Sequence, residues 1–212
     1  MLLLASSTAV SAFAEGGKIL DMASPKLRQF LAKHPEASKS LTNSLYQAFG
    51  HKVVQLYYFY SDNDAVPRAS HYYPTESAVG IIIRENQQPS DEFICLLFEL
   101  LNSGGEKQFK ELFRKAESGE ISRTNFAQEM LKVEFTAAKT TRDLLRTLKF
   151  GKKEIAESYY YNRFIDCPDE FNNFVDYCRR VSSPNRDPIK DFEEKYDGLR
   201  KDPSKGHLET HG

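Results

Sequence analysis

The sequence contains no tryptophan and only three cysteines, and neither sign of charge is in excess. Its 29 basic residues are balanced by 30 acidic ones, which gives a net charge of −1 at pH 7. Nucleic-acid-binding proteins need a clustered basic surface, so no nucleic-acid partner is predicted. The cysteines, Cys95, Cys167 and Cys178, show no Cys-x-x-Cys spacing and no cluster with histidine, so we predict no bound metal or other cofactor.

A long apolar run is also missing, although the N-terminus carries a short one. Residues 1–14 are apolar and small, but a helix that crosses a bilayer needs about 20 apolar residues, so no stable membrane span is predicted. The run ends in Ala12-Phe13-Ala14, the pattern of small residues found at signal-peptide cleavage sites. We therefore predict a signal peptide over residues 1–14 and a secreted or periplasmic protein. Because no basic residue precedes Lys18, the alternative is an apolar N-terminal helix.

The rest of the chain shows helical patterns interrupted by a β region. Residues 52–60 and 78–84 are rich in β-branched and aromatic side chains and predict strands, and residues 71–74 belong to the second β region. Apolar residues at helical spacing, with Ser24, Ser90 and Ser122 as starting caps, predict helices elsewhere. Their expected limits are 25–34, 36–49, 90–103, 106–118, 122–150, 152–164 and 168–181.

This order of elements predicts a predominantly helical α+β fold with a small antiparallel sheet. Residues 18–182 are expected to form a single domain, because a body of this size buries a substantial core. Beyond residue 182 the chain is rich in proline, aspartate and lysine and has few apolar residues. Residues 183–212 are therefore predicted to be a polar, partly disordered tail.

One helix carries a pentapeptide, Phe98-Glu99-Leu100-Leu101-Asn102, that resembles a degenerate zinc-peptidase motif. Zincin-like metallopeptidases carry His-Glu-x-x-His in such a helix, where both histidines bind zinc and the glutamate polarises the metal-bound water. Glu99 stands at the position of that glutamate, whereas Phe98 and Asn102 stand at the positions of the histidines. An aromatic ring cannot bind zinc, and a neutral amide is a poor ligand for it.

The resemblance to the zincin-like family extends over about residues 70–148. Residues 71–83 are similar to the edge strand beside the active-site cleft of that family, and residues 119–126 are similar to the link between its later helices. Glu134 stands where a third zinc ligand often lies. The resemblance therefore implies a zincin-like arrangement from which both zinc-binding histidines have been lost.

The resulting hypothesis is an exported, non-catalytic, pseudo-metallopeptidase-like protein that acts by binding an unidentified protein or peptide. Its binding residues would be Tyr72, Tyr73 and Asn102. The tyrosines belong to a dense set of aromatic residues, and exposed tyrosines are common at recognition surfaces. The alternative for the tyrosines is that they fill the core and extend their hydroxyl groups to water.

Two other functions remain open on the sequence. Glu99 and Glu134 are candidate catalytic residues for a hydrolase of another class, in which two carboxylates exchange protons with a substrate. The second alternative is a purely structural helical domain, in which Glu134 is exposed and Glu99 belongs to a solvated polar stripe of its helix. The stripe comprises Glu92, Cys95, Glu99, Asn102 and Glu106.

Overall fold

The structure is a computed structural model, and it describes residues 22–49, 53–61, 69–75, 78–85, 87–148, 150, 158, 173–181, 187–201 and 209–211. The predicted signal peptide lies outside these ranges, and so does nearly all of the helix predicted over residues 152–164. The tyrosines at positions 159–161, which belong to the dense set of aromatic residues in the sequence, also lie outside them. These parts of the chain therefore stay as predictions.

Along the chain, the described helices both precede and follow a β region. The helices are α1 (Pro25–Lys33), α2 (Pro35–Phe49), α3 (Pro89–Ser103), α4 (Glu106–Ser118), α5 (Arg123–Thr147), α6 (Phe174–Val181) and α7 (Pro188–Lys201). The strands are β1 (Val53–Phe59), β2 (Ala69–Thr75), β3 (Ala78–Arg84) and β4 (Glu209–His211). The predominantly helical α+β class is confirmed. Among these helices, none is both long enough and apolar enough to cross a bilayer.

The described strands form one mixed sheet in the order β1-β3-β2-β4. β2 and β3 pair as an antiparallel hairpin, β4 pairs antiparallel with β2, and β1 runs parallel to β3. The prediction of an antiparallel sheet is therefore wrong for the β1–β3 pair. β2 runs opposite to β1, and the β2–β3 hairpin reverses the chain once more. β3 therefore lies beside β1 and runs parallel to it.

One face of the sheet is buried, and it carries a histidine among apolar side chains. Val79, Ile81 and Ile83 of β3 are fully buried and alternate with residues on the other face. His71 of β2 lies opposite Ile81 on the neighbouring strand and is also fully buried. The two-residue period of the strand thus directs an imidazole into the interior, towards the helix that packs on the sheet.

That helix, α3, is central to the domain, because it contacts β2, β3, α1, α2 and α5. Phe93, Leu96 and Leu100 are fully buried. The helix begins after Gln88 with proline at its first position, so the predicted N-cap at Ser90 is wrong. Proline is favoured at the first helical position because the N–H that it lacks would have no partner there.

The first turn of α3 is anchored by a buried carboxylate. Glu92 accepts hydrogen bonds from the Ser24 hydroxyl at 2.7 Å and from the Tyr58 hydroxyl at 2.6 Å. The same Ser24 oxygen caps α1, as predicted, by accepting from the Leu27 N–H. Burial and the negative charge of Glu92 raise the pKa of Tyr58 well above its usual range. These bonds hold α1, β1 and α3 together at one end of the sheet.

α4 and α5 form a helical hairpin whose limits largely agree with the prediction. Gly119 ends α4 in the left-handed conformation, with φ of 77°, and the Ser122 hydroxyl caps α5 by accepting from the Asn125 N–H. The long helix ends at Thr147, shortly before the predicted limit at residue 150. The apolar residues that recur at helical spacing along α4 are all buried: Phe109, Leu112, Phe113 and Ala116.

The helix α7 (Pro188–Lys201) lies within the predicted polar tail, and these residues are folded. Phe192 and Leu199 are buried, and the Tyr196 hydroxyl donates a hydrogen bond to the Ile121 carbonyl at 3.0 Å. Arg123 of α5 forms ion pairs with two carboxylates of α7. Because α7 packs on both α4 and α5, it is an integral part of the folded domain.

Candidate functional site: a sealed glutamate and an open groove

Glu99 of α3 lies inside the protein. Its side chain is 1% exposed and points to β2, where the His71 ring is 0% exposed. The Nδ1 atom of His71 and the Oε2 atom of Glu99 lie 2.7 Å apart. The two atoms share one hydrogen bond, whose donor is whichever of them carries the proton. We call these two residues the His71–Glu99 pair.

Burial keeps the imidazole of this pair uncharged. Removal from water lowers the pKa of His71 from 6.5 to about 3, and the positive charge of Lys195 on α7 acts in the same direction. At neutral pH the ring therefore carries one proton, and the contact with Glu99 does not depend on a positively charged imidazole. Such a hydrogen bond satisfies polar groups that would otherwise be buried without partners.

Two aromatic rings pack against His71 of the His71–Glu99 pair. The Tyr73 ring stands edge-on to His71 with centroids 5.4 Å apart, and the Phe109 ring of α4 lies 5.9 Å from His71. The Tyr73 hydroxyl donates to the Ser103 carbonyl at the end of α3, at 2.8 Å, and burial raises the pKa of Tyr73 well above its usual range. Tyr73 is thus a buried support for α3, which corrects its predicted place on a binding surface.

The polar stripe of α3 is buried, so the interpretation of a solvated stripe is wrong. Glu92, Cys95, Glu99 and Asn102 are each at most 5% exposed. Only Glu106, which belongs to α4, keeps partial exposure. The reason is that α3 is surrounded by the sheet and by three other helices, so its polar edge faces protein instead of water.

The residues at the motif positions do not fit a zinc site. Phe98 offers no ligand atom. The side-chain amide of Asn102 is fully buried and makes no hydrogen bond to any other described residue. Within the described ranges, no three His, Cys, Asp or Glu side chains come close enough together to hold a metal ion. The burial of Asn102 also closes it to a partner, which corrects its predicted role as a binding residue.

Glu134, the second candidate catalytic residue, is buried on α5. Its side chain is 5% exposed, so the alternative of an exposed glutamate is wrong. A hydrolase that uses two carboxylates needs an open cleft in which both of them reach the substrate. Among the described residues, Glu99 and Glu134 are both buried, so neither carboxylate is open to a substrate in the way that this chemistry requires.

Tyr72 occupies the other face of the sheet. Its ring lies over Gly80 of β3, where an added Cβ atom would be only 2.1 Å from the ring, so a larger residue here would displace the Tyr72 ring. The Tyr57 ring of β1 lies alongside, with centroids 6.2 Å apart. Tyr72 is half-buried, and it is the only one of the three predicted binding residues that keeps exposure in the structure.

An open groove lies between α4 and α5, and the turn that follows α3 closes one end of it. We call it the α4–α5 groove; its volume is about 580 Å³, within the range of ligand-binding pockets. Gly105 makes the closing contact with α5. A Cβ atom at this position would lie 2.4 Å from the Val133 side chain, so only glycine lets the end of α3 approach α5 this closely.

The α4–α5 groove has an apolar floor and walls whose charges are balanced. On the α4 wall, the Glu111 carboxylate lies 3.0 Å from the Arg114 guanidinium and 3.5 Å from the Lys115 ammonium. On the α5 wall, the Lys132 ammonium lies 2.5 Å from the Glu129 carboxylate. Each wall therefore neutralises its own charge. Four of the residues that line the groove are apolar and together are called its floor: Leu101, Leu112, Val133 and Ala137.

Sequence reasoning missed both His71 and the groove. The signal for His71 was the alternation along β2, because Ala69, His71 and Tyr73 share the buried face of the strand. The groove had no comparable signal, since its lining comes from four different helices. In comparisons with known proteins, no family model matches this chain, and neither a curated protein nor a solved structure matches it.

Proposed function

We propose that the protein is a non-catalytic, pseudo-metallopeptidase-like binding protein whose protein or peptide partner occupies the α4–α5 groove. The observation that carries this proposal is a contrast between two places. Glu99 is buried in contact with His71, whereas the groove is open and has an apolar floor. A catalytic acid or base must reach its substrate, while a binding surface needs accessible apolar groups inside a polar rim.

Two packing contacts support the zincin-like part of the proposal. The strands β2 and β3 pack against α3, as a strand beside a motif helix would, and α5, which carries Glu134, also packs against α3. Phe98 and Asn102 stand where the zinc-binding histidines of that family lie. A scaffold that has kept its packing and lost its metal ligands accounts for both observations.

Substitution of Thr136 by arginine is expected to abolish partner binding without unfolding the protein. Thr136 is exposed on the α5 wall, so a long cationic side chain would fill the groove while leaving the core intact. Immobilised protein would be incubated with extract from the source organism, and the retained proteins would be compared by mass spectrometry. We expect the affinity for a defined partner to fall at least about tenfold, equivalent to a loss of about 1.4 kcal/mol of binding free energy.

The matched control is Gln128→Arg, which places the same side chain on an exposed position of α5 outside the groove. This variant and Glu99→Gln are expected to retain the partner. Equal retention by Thr136→Arg and the wild type would contradict the binding site. Stoichiometric zinc in protein purified without added metal would contradict the non-catalytic assignment.

Export is the remaining part of the proposal, and it predicts a mature N-terminus at Glu15. The support is the small-residue pattern of Ala12-Phe13-Ala14 immediately before this residue. N-terminal sequencing of protein isolated from the cell envelope and the medium is the direct measurement. A chain that is found only inside the cell and still carries residues 1–14 would show that the segment is not a signal peptide.

A further inference from the structure

Building on the proposed function, we infer that the α4–α5 groove takes an amphipathic α-helix of the partner, with an uncharged apolar stripe on its buried face. The stripe would contact Leu101, Leu112 and Val133, which lie on the groove floor. Leu101 and Val133 are only half-buried, so they still have apolar surface to lose on binding. Three observations about the groove lead to this occupant.

The first observation is that the two long walls of the groove are helices. Their backbone N–H and C=O groups are bonded along the helix, so they offer no partners to the backbone of an extended peptide. A strand lying in the groove would bury its own polar groups without hydrogen bonds, which is unfavourable. A helix satisfies its backbone internally and presents side chains at i, i+3, i+4 and i+7 to the floor.

The second observation is the charge balance of the walls. Lys115 and Lys132 are each paired with a glutamate of their own wall, four and three residues earlier in the chain. A charged group on the occupant would have to break one of these ion pairs. The wall residue with the same sign of charge would then lie next to that group without its partner. The buried face of the occupant is therefore uncharged, and attraction between opposite charges contributes little to its binding.

The third observation concerns the uncharged end of the α5 wall. Thr136 and Thr140 are exposed, and each hydroxyl donates to a carbonyl of its own helix, at 3.0 Å in both cases. These hydroxyl groups are turned to the α5 backbone, so they present less polar surface to the groove. An apolar stripe thus meets little competing polarity along this wall.

Two synthetic peptides of about 14 residues and equal, uncharged composition test the inference, one with leucines at helical spacing and the other with alternating leucines. Isotope-labelled full-length protein would be titrated with each. We expect only the helical peptide to shift the amide signals of Leu101, Leu112 and Val133 and to gain helical circular dichroism. Thr136→Arg and Thr140→Arg should each abolish the shifts, and Gln128→Arg should not. Between about 0.05 M and 0.5 M NaCl, the affinity should change less than about twofold.

Each other outcome overturns the inference. Binding of the alternating peptide would show an extended occupant, and a marked loss of affinity with salt would show a charged one. A dimer in sedimentation that Thr136→Arg converts to a monomer would show that the groove takes a second copy of this chain. In all three cases the groove still binds, so the proposed function stands. If neither peptide shifts the groove signals, the helix inference fails, and the partner-retention experiment decides the proposed function separately.

Discussion

Replacing Phe192 with alanine is expected to lower the free energy of unfolding by about 3–5 kcal/mol, the usual cost of deleting a buried phenylalanine ring. Phe192 lies on α7, is 5% exposed and belongs to the main hydrophobic core. A disordered tail would give no effect at all, so the variant separates the folded α7 from the tail that the composition predicts. Urea unfolding followed by circular dichroism measures the difference.

Glu194→Ala is the matched control for this experiment. Glu194 is an exposed residue of the same helix, so its loss should change the free energy of unfolding by no more than about 0.5 kcal/mol. If Phe192→Ala also falls within that range, α7 does not contribute to the stability of the domain. A change in the control as large as that in Phe192→Ala would indicate a nonspecific effect of altering the helix.

The second large effect is expected at the His71–Glu99 pair. His71→Phe leaves a carboxylate buried without its imidazole partner, and Glu99→Leu leaves an imidazole without its carboxylate. Each is expected to lower the free energy of unfolding by about 3–5 kcal/mol, as when one member of a buried polar pair is removed. The double variant replaces both groups with apolar side chains, so it should lose much less than the sum of the two single losses.

A double-mutant cycle on urea unfolding tests this coupling. The four proteins required are the wild type, the two single variants and the double variant, all compared at the same pH. Strictly additive losses would show that the 2.7 Å contact between His71 and Glu99 contributes nothing of its own to stability.

The same pair predicts a loss of stability in acid. The folded pKa of His71, about 3, lies below its ordinary value of 6.5 because the ring is buried. As the pH falls below 6.5, the unfolded chain gains a proton that the folded protein excludes, so the contribution is complete above pH 6.5 and declines towards pH 3. The slope from this residue reaches at most about 1.4 kcal/mol per pH unit.

The measurement is the difference in the free energy of unfolding between pH 7 and pH 5. In the wild type this difference should exceed that of His71→Phe by about 2 kcal/mol, since the variant lacks the titrating ring. An equal pH dependence in the two proteins would mean that the imidazole is not held neutral by burial.

Local signals in the sequence predicted most of the helices correctly. Ser24 followed by Pro25 started α1, Gly119 ended α4 and Ser122 capped α5, because each of these features depends on the backbone within one turn. The placement of Ser90 as a cap was wrong by two residues, since Pro89 also starts a helix well. Interactions of short range in the chain are therefore readable directly from the residues.

The region after residue 182 was misjudged because its average composition concealed a periodic pattern. Four apolar residues of α7 recur at intervals of three and four, which forms a stripe along one side of a helix. Asp187 adds a starting signal, since its carboxylate accepts from the Ile189 N–H at 3.1 Å. The members of the stripe are Ile189, Phe192, Tyr196 and Leu199.

The candidate site was less predictable than the helices. Glu99 was identified from the sequence, but its partner His71 lies 28 positions earlier, on another element. Only the packing of β2 on α3 brings these two residues together, and no spacing rule within one helix or strand predicts that packing. The solvent exposure of Glu99 and Glu134 depends in the same way on which elements cover α3 and α5.

The order of the strands has a consequence for synthesis of the chain on the ribosome. The β2–β3 hairpin is local and forms quickly, but β4 pairs with β2 across nearly the whole domain, and α7 packs on helices that precede it. Both late elements must emerge before the edge of β2 and the apolar side of the α4–α5 hairpin are covered. The nascent domain therefore exposes a strand edge and an apolar surface, the two features that recruit chaperones, until α7 and β4 have been translated.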